Sequence, residues 1–143
     1  MKTIDTLKME FDSRSVNESF ARVAAAAFIA RLDPTMEELN DVKTAVSEAV
    51  TNCIVHAYPS GLGKINLTIR LRDDASAVIT IKDHGCGIPD IALAKTPLYT
   101  TGGKERSGMG FAVMESFMDK LKVRSTPGHG TTIIMTKYIS PKE

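Results

Sequence analysis

Glu48, Asn52 and His56 recur at every fourth residue, so on a helix they line up one turn apart. A carboxylate beside a neutral amide oxygen suits Mg²⁺ held together with phosphates, or a general base next to a metal ligand. The same spacing is also that of an ordinary solvated helix face. Further along, Asp83-His84-Gly85-Cys86-Gly87-Ile88 sets an acidic residue ahead of two alternating glycines. An ionised carboxylate only accepts hydrogen bonds, so it pairs with the exocyclic amine of adenine and disfavours guanine, which presents a carbonyl there. Gly85 and Gly87 let a flat purine or a phosphate approach the backbone, although a plain glycine turn after a strand has the same composition. The third stretch, Thr100-Thr101-Gly102-Gly103-Lys104-Glu105-Arg106-Ser107-Gly108-Met109-Gly110, combines hydroxyls, glycines and two cations and then opens into a helix. Backbone amides at a helix N-terminus bind phosphate, Gly102 and Gly103 can hinge a lid, and Lys104 and Arg106 can reach a terminal phosphate. A mobile surface loop with solvated cations fits these residues too, and the order of a Walker A loop is absent.

Other reactive side chains point to structural roles. Ser47 has no His and Asp arrangement that makes it a nucleophile. Cys53 falls on an apolar stripe, and the two cysteines form neither a zinc motif nor a disulfide scaffold. His56 and His129 read as hydrogen-bonded structural residues, and Met36, Met109 and Met114 as core.

The elements that must carry these groups are legible from periodicity. Leu7, Met9 and Phe11 alternate with charged residues, which predicts a short opening strand. Ser15 and Glu18 have the spacing of a capping box, and Phe20, Val23, Ala24, Ala27 and Phe28 then recur at helical spacing. Asp33-Pro34 signals a second helix, whose stripe of Met36, Leu39, Val42, Val46, Ala49, Val50, Cys53 and Ile54 extends to about Ala57. Strict alternation from Lys64 to Arg72, turn chemistry at Asp73, Asp74 and Ser76, and a second strand from Ala77 to Asp83 predict an antiparallel hairpin. After the aperiodic stretch 84–108 come a helix marked by Met109, Val113 and Phe117, then two strands flanking Pro127-Gly128-His129-Gly130. This order predicts an α+β fold, a two-layer α/β sandwich over a mainly antiparallel, mixed sheet, in a single domain spanning 1–143.

Composition bounds the function. The chain has 143 residues, 43% hydrophobic and 24% charged, which is enough to bury a core and excludes global disorder. Eighteen Lys and Arg against seventeen Asp and Glu leave a net charge of +1, with no bulk field for nucleic acid or an anionic membrane. Asp5, Glu10 and Asp12 stand where a signal peptide needs an apolar run, so a cytoplasmic location is expected.

Taken in order, Glu48-x-x-x-Asn52, Asp83-x-Gly85-x-Gly87-Ile88, Gly108-Met109-Gly110-Phe111 and Gly128-His129-Gly130-Thr131-Thr132 resemble the successive boxes of the GHKL family of gyrase, histidine kinase and MutL-type ATPases. Within it, the stretches 17–23, 32–36, 47–52 and 105–111 are similar to sporulation anti-sigma factors that act as protein serine kinases. The resemblance implies a Bergerat-type ATP site. Asn52 would hold Mg²⁺, Asp83 would anchor adenine, and Gly85, Gly87, Ile88 and Thr131 or Thr132 would complete the purine pocket. Thr100, Thr101, Ser107, Gly108, Met109, Gly110 and Phe111 would contact the nucleotide. Glu48 would be the general base, Arg106 would steady the γ-phosphate, and Arg22 would lie on a docking surface shared by two partners. Those partners are a sigma factor and an anti-anti-sigma protein phosphorylated on serine, served by a homodimer without direct nucleic-acid or membrane contact. The alternatives are the catalytic domain of a sensor histidine kinase and an ATP-switched binding module without kinase activity.

Overall fold

The computed structural model describes residues 2–58, 61–88 and 110–141. Strand β1 (Thr3–Asp12) leads into helix α1 (Val16–Ile29), a 3₁₀ turn (Ala30–Leu32) and helix α2 (Met36–Asn52), which continues as a π-helical turn (Cys53–Ala57). Strands β2 (Lys64–Arg72) and β3 (Ser76–Asp83), helix α3 (Gly110–Phe117) and strands β4 (Lys120–Thr126) and β5 (Gly130–Tyr138) follow. The sheet order is β1-β2-β3-β5-β4, and every pairing is antiparallel, so the expected mixed sheet is corrected to a purely antiparallel one among the described residues.

The alternation in β2 delivers what it predicts: Ile65, Leu67, Ile69 and Leu71 are all buried against the helical layer. Ala77, Ile79 and Ile81 of β3 and Ile133 and Met135 of β5 extend that floor, and Val42, Val46, Ala49 and Val50 of α2 close it from above. The opening strand is ten residues long, paired with β2 from Thr3 to Asp12.

Four local expectations are corrected. In α1 the buried side is Ala21, Ala25, Ala26 and Ile29, whereas Phe20 and Val23 are more than half exposed. From Val23 to Ile29 this helix is apolar on every side, so periodicity alone does not choose its inner face, and the small alanines win because they let α1 pack close to its neighbours. Ser15 makes no side-chain cap; Glu18 instead bonds Arg22 Nε at 3.0 Å, one turn along α1. In α2 the cap is Thr35, not Asp33: Thr35 Oγ1 accepts from Glu38 N while Thr35 N donates to Glu38 Oε1. Asp33 ends the 3₁₀ turn in a left-handed conformation, and Met36, outside the stripe, is 71% exposed.

Glu38 ties the start of α2 to the segment after β5, because its Oε2 also accepts from Ser140 N at 2.8 Å and Ser140 Oγ at 2.7 Å. Burial alone raises this carboxyl, but the bonds from Ser140 and Thr35 outweigh it and hold the group at about 2, below its ordinary 4.5. A folded-state value below the unfolded one stabilises the protein fully above pH 4.5, and that contribution disappears as pH falls toward 2. Urea midpoints measured across this window therefore decline in the parent protein, and Glu38→Gln removes part of that slope while lowering stability at pH 7 by about 1–2 kcal/mol.

Candidate functional site

Asp83 is the last residue of β3 and is 4% exposed. Its partner across the ladder is Thr131 of β5, whose backbone N–H donates to Asp83 Oδ1 at 3.2 Å, while Gly85 N donates to the same oxygen at 2.9 Å. Two main-chain donors thus fix the carboxylate plane and leave acceptor capacity unspent. Beside it stands the buried Cys53 thiol, pushed well above its ordinary value first by burial and then by the Asp83 charge and hydrogen bond.

The glycines of the Asp83 segment are set by backbone packing. A Cβ on Gly85 would overlap the Ala57 carbonyl, and Cys86 N donates to that same carbonyl at 2.9 Å, so the segment is stitched to the π turn at the end of α2. Gly87 has φ +78°, and a Cβ there would overlap the Thr126 carbonyl. Both glycines therefore have a packing reason for being glycine, independent of any ligand.

Asn52 is the last residue of α2, and the π turn that follows breaks the helical register. Asn52 keeps its place one turn beyond Glu48, but His56 falls on the π turn instead of continuing an α-helical row. At its other side Asn52 meets α3: a Cβ on Gly110 would lie 3.2 Å from both the amide oxygen and the amide nitrogen. Gly110 thus opens side-chain-free space beside a hard oxygen donor at a helix N-terminus, and Phe111 and Met114 anchor that helix in the core. The arrangement fits phosphate oxygens and a cation. Among the described residues no three His, Cys, Asp or Glu side chains gather as a metal cluster, and an ion shared between Asn52 and phosphates needs none.

Of the two candidate threonines, Thr131 shares the core face with Asp83. Thr132 stands on the opposite face, in register with Lys82 and Arg124, so the structure does not bring it to the carboxylate. Glu48 and Arg22 line one groove together, so the helix that carries Asn52 also carries Glu48 to a surface shared with α1. Arg106, Thr100, Thr101, Ser107, Gly108 and Met109 lie outside the described residues.

Two side chains that sequence reasoning passes over hold this site. Ser125 Oγ accepts from Ile88 N at 2.6 Å, donates to Gly130 O at 3.1 Å and lies 2.9 Å from Thr131 Oγ1, joining β4 to both flanks of Asp83. Its register partner is Thr131, so two hydroxyl residues facing each other across the Pro127 turn were the available signal. Tyr58 Oη donates to Lys64 O and accepts from His84 N, each at 2.7 Å, and burial raises its hydroxyl above the ordinary value.

Asp83 at the end of β3, Asn52 at the end of α2 and the glycine-started α3 beside Asn52 are the groups this fold brings together. The family described as the histidine kinase-like ATPase domain matches residues 10–137. Among curated proteins, the Anti-sigma F factor of Clostridium novyi is 57% identical over 96% of each chain. That of Caldanaerobacter subterraneus subsp. tengcongensis is 53% identical over 97% of each. Among solved structures, the RsbU and RsbW domains of a Mycobacterium tuberculosis protein superpose with a TM-score of 0.71 at 18% identity, covering 97% of this chain and 34% of that one. The mycobacterial sensor histidine kinase MprB gives 0.60 at 16% identity, covering 95% and 100%. The chain belongs to the histidine kinase-like ATPase family and, within it, to the Anti-sigma F factor family.

Proposed function

We propose that this protein is a cytoplasmic, ATP- and Mg²⁺-dependent anti-sigma factor that holds a sporulation sigma factor inactive and phosphorylates a serine of an anti-anti-sigma protein. The observation that carries the reading is the Asp83 carboxylate, buried and oriented by the amides of Gly85 and Thr131, in a chain more than half identical to Anti-sigma F factors. Asp83 accepts from the adenine amine, and Thr131, braced by Ser125, forms the adjoining wall. Asn52 would hold the magnesium ion, which would supply positive charge to the phosphates, and the N-terminus of α3 would offer them its backbone amides.

Bound nucleotide supplies the γ-phosphoryl group to be transferred. Glu48 orients the acceptor serine and takes the proton from its hydroxyl as the oxygen–phosphorus bond forms and the bond to the β-phosphate oxygen breaks, leaving ADP. Arg106 steadies the transferring group. Incubation with ATP, Mg²⁺ and the cognate anti-anti-sigma protein is expected to give acid-stable phosphoserine. A folded, ATP-binding sample that captures sigma without transferring phosphate would replace this reading with an ATP-switched binding module.

The homodimer rests on the outward face of α1. Val16, Phe20 and Val23 are 71%, 59% and 58% exposed and lie along one side of the helix with Ala27, an apolar strip suited to pairing with its own copy about a two-fold axis. Phe20→Asp is expected to convert the dimer to monomer in sedimentation velocity, weakening self-association by about 100-fold or more. A Phe20→Asp protein that stays dimeric would place the interface elsewhere.

A further inference from the structure

Between α1 and α2 runs an open groove of about 330 Å³, lined by Arg22 of α1 and by Asn40, Lys43, Thr44, Ser47 and Glu48 of α2. Its two cations differ in their partners. Arg22 is already compensated by Glu18, whose Oε2 lies 3.0 Å from its Nε. Lys43, half-buried in the wall, forms no ion pair among the described residues, so the groove presents one uncompensated cation, on the helical row of Ser47 beside the row of Asn40, Thr44 and Glu48.

We propose that this groove is the seat of the acceptor segment of the protein substrate, an extended stretch that places its serine hydroxyl at Glu48 and an acidic side chain at Lys43. The inference rests on the kinase reading above and adds a specificity element to it. Helix geometry sets the spacing. From Asn40 to Glu48 the groove runs roughly 12 Å at 1.5 Å per residue, which about four residues of extended chain would cover at ~3.3 Å each. Lys43 lies roughly 7.5 Å along the axis from Glu48, so the carboxylate it reads falls about two positions from the acceptor serine. Asn40, Thr44 and Ser47 between and beside them are short and polar, suited to bonding the peptide backbone without selecting its side chains. Lys43 acts on docking alone: it fixes the register that brings the hydroxyl to the base, and takes no part in moving the proton.

Lys43→Glu in the full chain tests this with three readouts: KM and kcat for phosphoryl transfer to the cognate anti-anti-sigma protein, the Kd of that protein by titration, and the Kd of ATP. The expected result is a KM and a partner Kd raised about 10-fold or more, with kcat and ATP affinity within about 2-fold of the parent. Replacing the partner's acidic residue two positions from the acceptor serine by Lys is expected to restore binding to the Lys43→Glu protein. An unchanged KM and partner Kd would overturn the proposal, as would a loss that the partner's charge swap fails to restore. A parent protein that binds the partner but transfers no phosphate would instead overturn the kinase reading, and the partner Kd would still decide the groove.

Discussion

Asp83→Asn lowers ATP affinity by about 100-fold while leaving a folded protein. The ionised carboxylate has acceptors only, and its Oδ1 is already committed to Gly85 N and Thr131 N. An amide in its place keeps one acceptor for those two backbone donors and turns an NH₂ toward the position where the adenine amine needs an acceptor. A lost charge-assisted hydrogen bond costs about 1.5–3 kcal/mol, and donor facing donor adds to it, which together reach roughly the 2.7 kcal/mol of two decades in affinity. The fold survives because Oδ1 remains and the surrounding ladder from Ile65 through Asp83 to Thr131 is intact. Equilibrium titration with a fluorescent ATP analogue, alongside circular dichroism, checks both halves. ATP affinity equal to the parent's would remove Asp83 from base recognition.

The second large effect separates binding from chemistry. Glu48→Gln keeps the shape of the side chain and of the groove it lines with Arg22, but an amide cannot take a proton from the acceptor serine. Transfer to the anti-anti-sigma protein is expected to fall by about 100-fold or more, the usual scale for a lost general base, with ATP affinity within about 2-fold of the parent. Asn52, one turn further along α2, is untouched by the change, so the amide proposed to hold the metal remains in place. Single-turnover transfer measured beside nucleotide binding gives the comparison. Equal transfer rates would take the proton-accepting role away from Glu48.

Much of this architecture was legible before any coordinates. Period-two alternation located β1 and β2, because each turns one set of alternate side chains toward the shared core and the other set away from it. The Asp83 segment reads as the close of a strand, where the structure has it, whereas the helix read as running to about Ala57 ends as an α-helix at Asn52. What periodicity missed is instructive. The exposed side of α1 carries Phe20 and Val23, larger apolar residues than the alanines buried beneath it, so counting hydrophobicity selected the wrong face. The π turn after Asn52 is invisible to a 3.6-residue pattern, and it is the carbonyl of Ala57 at its end that receives Cys86 N and requires glycine at position 85. Ser125 was missed because its role depends on cross-strand register, which sequence spacing along one strand does not contain.

The packing of the Asp83 segment also changes what its glycines mean. A sequence reading gives Gly85 and Gly87 to the ligand, yet each would collide with protein backbone if it carried a side chain. Their first duty is to let the end of α2, the end of β3 and the turn after β4 converge within van der Waals contact. That convergence brings Gly85 N and Thr131 N to the same oxygen of Asp83, so the packing orients the carboxylate on which the proposed recognition depends.

Calorimetric titration of the purified protein with ATP and with GTP, each with excess Mg²⁺, tests the central claim most directly. A carboxylate that accepts from the base's amine predicts measurable ATP binding, with GTP weaker by about 100-fold or more. No heat with ATP, or equal affinity for the two nucleotides, would contradict it.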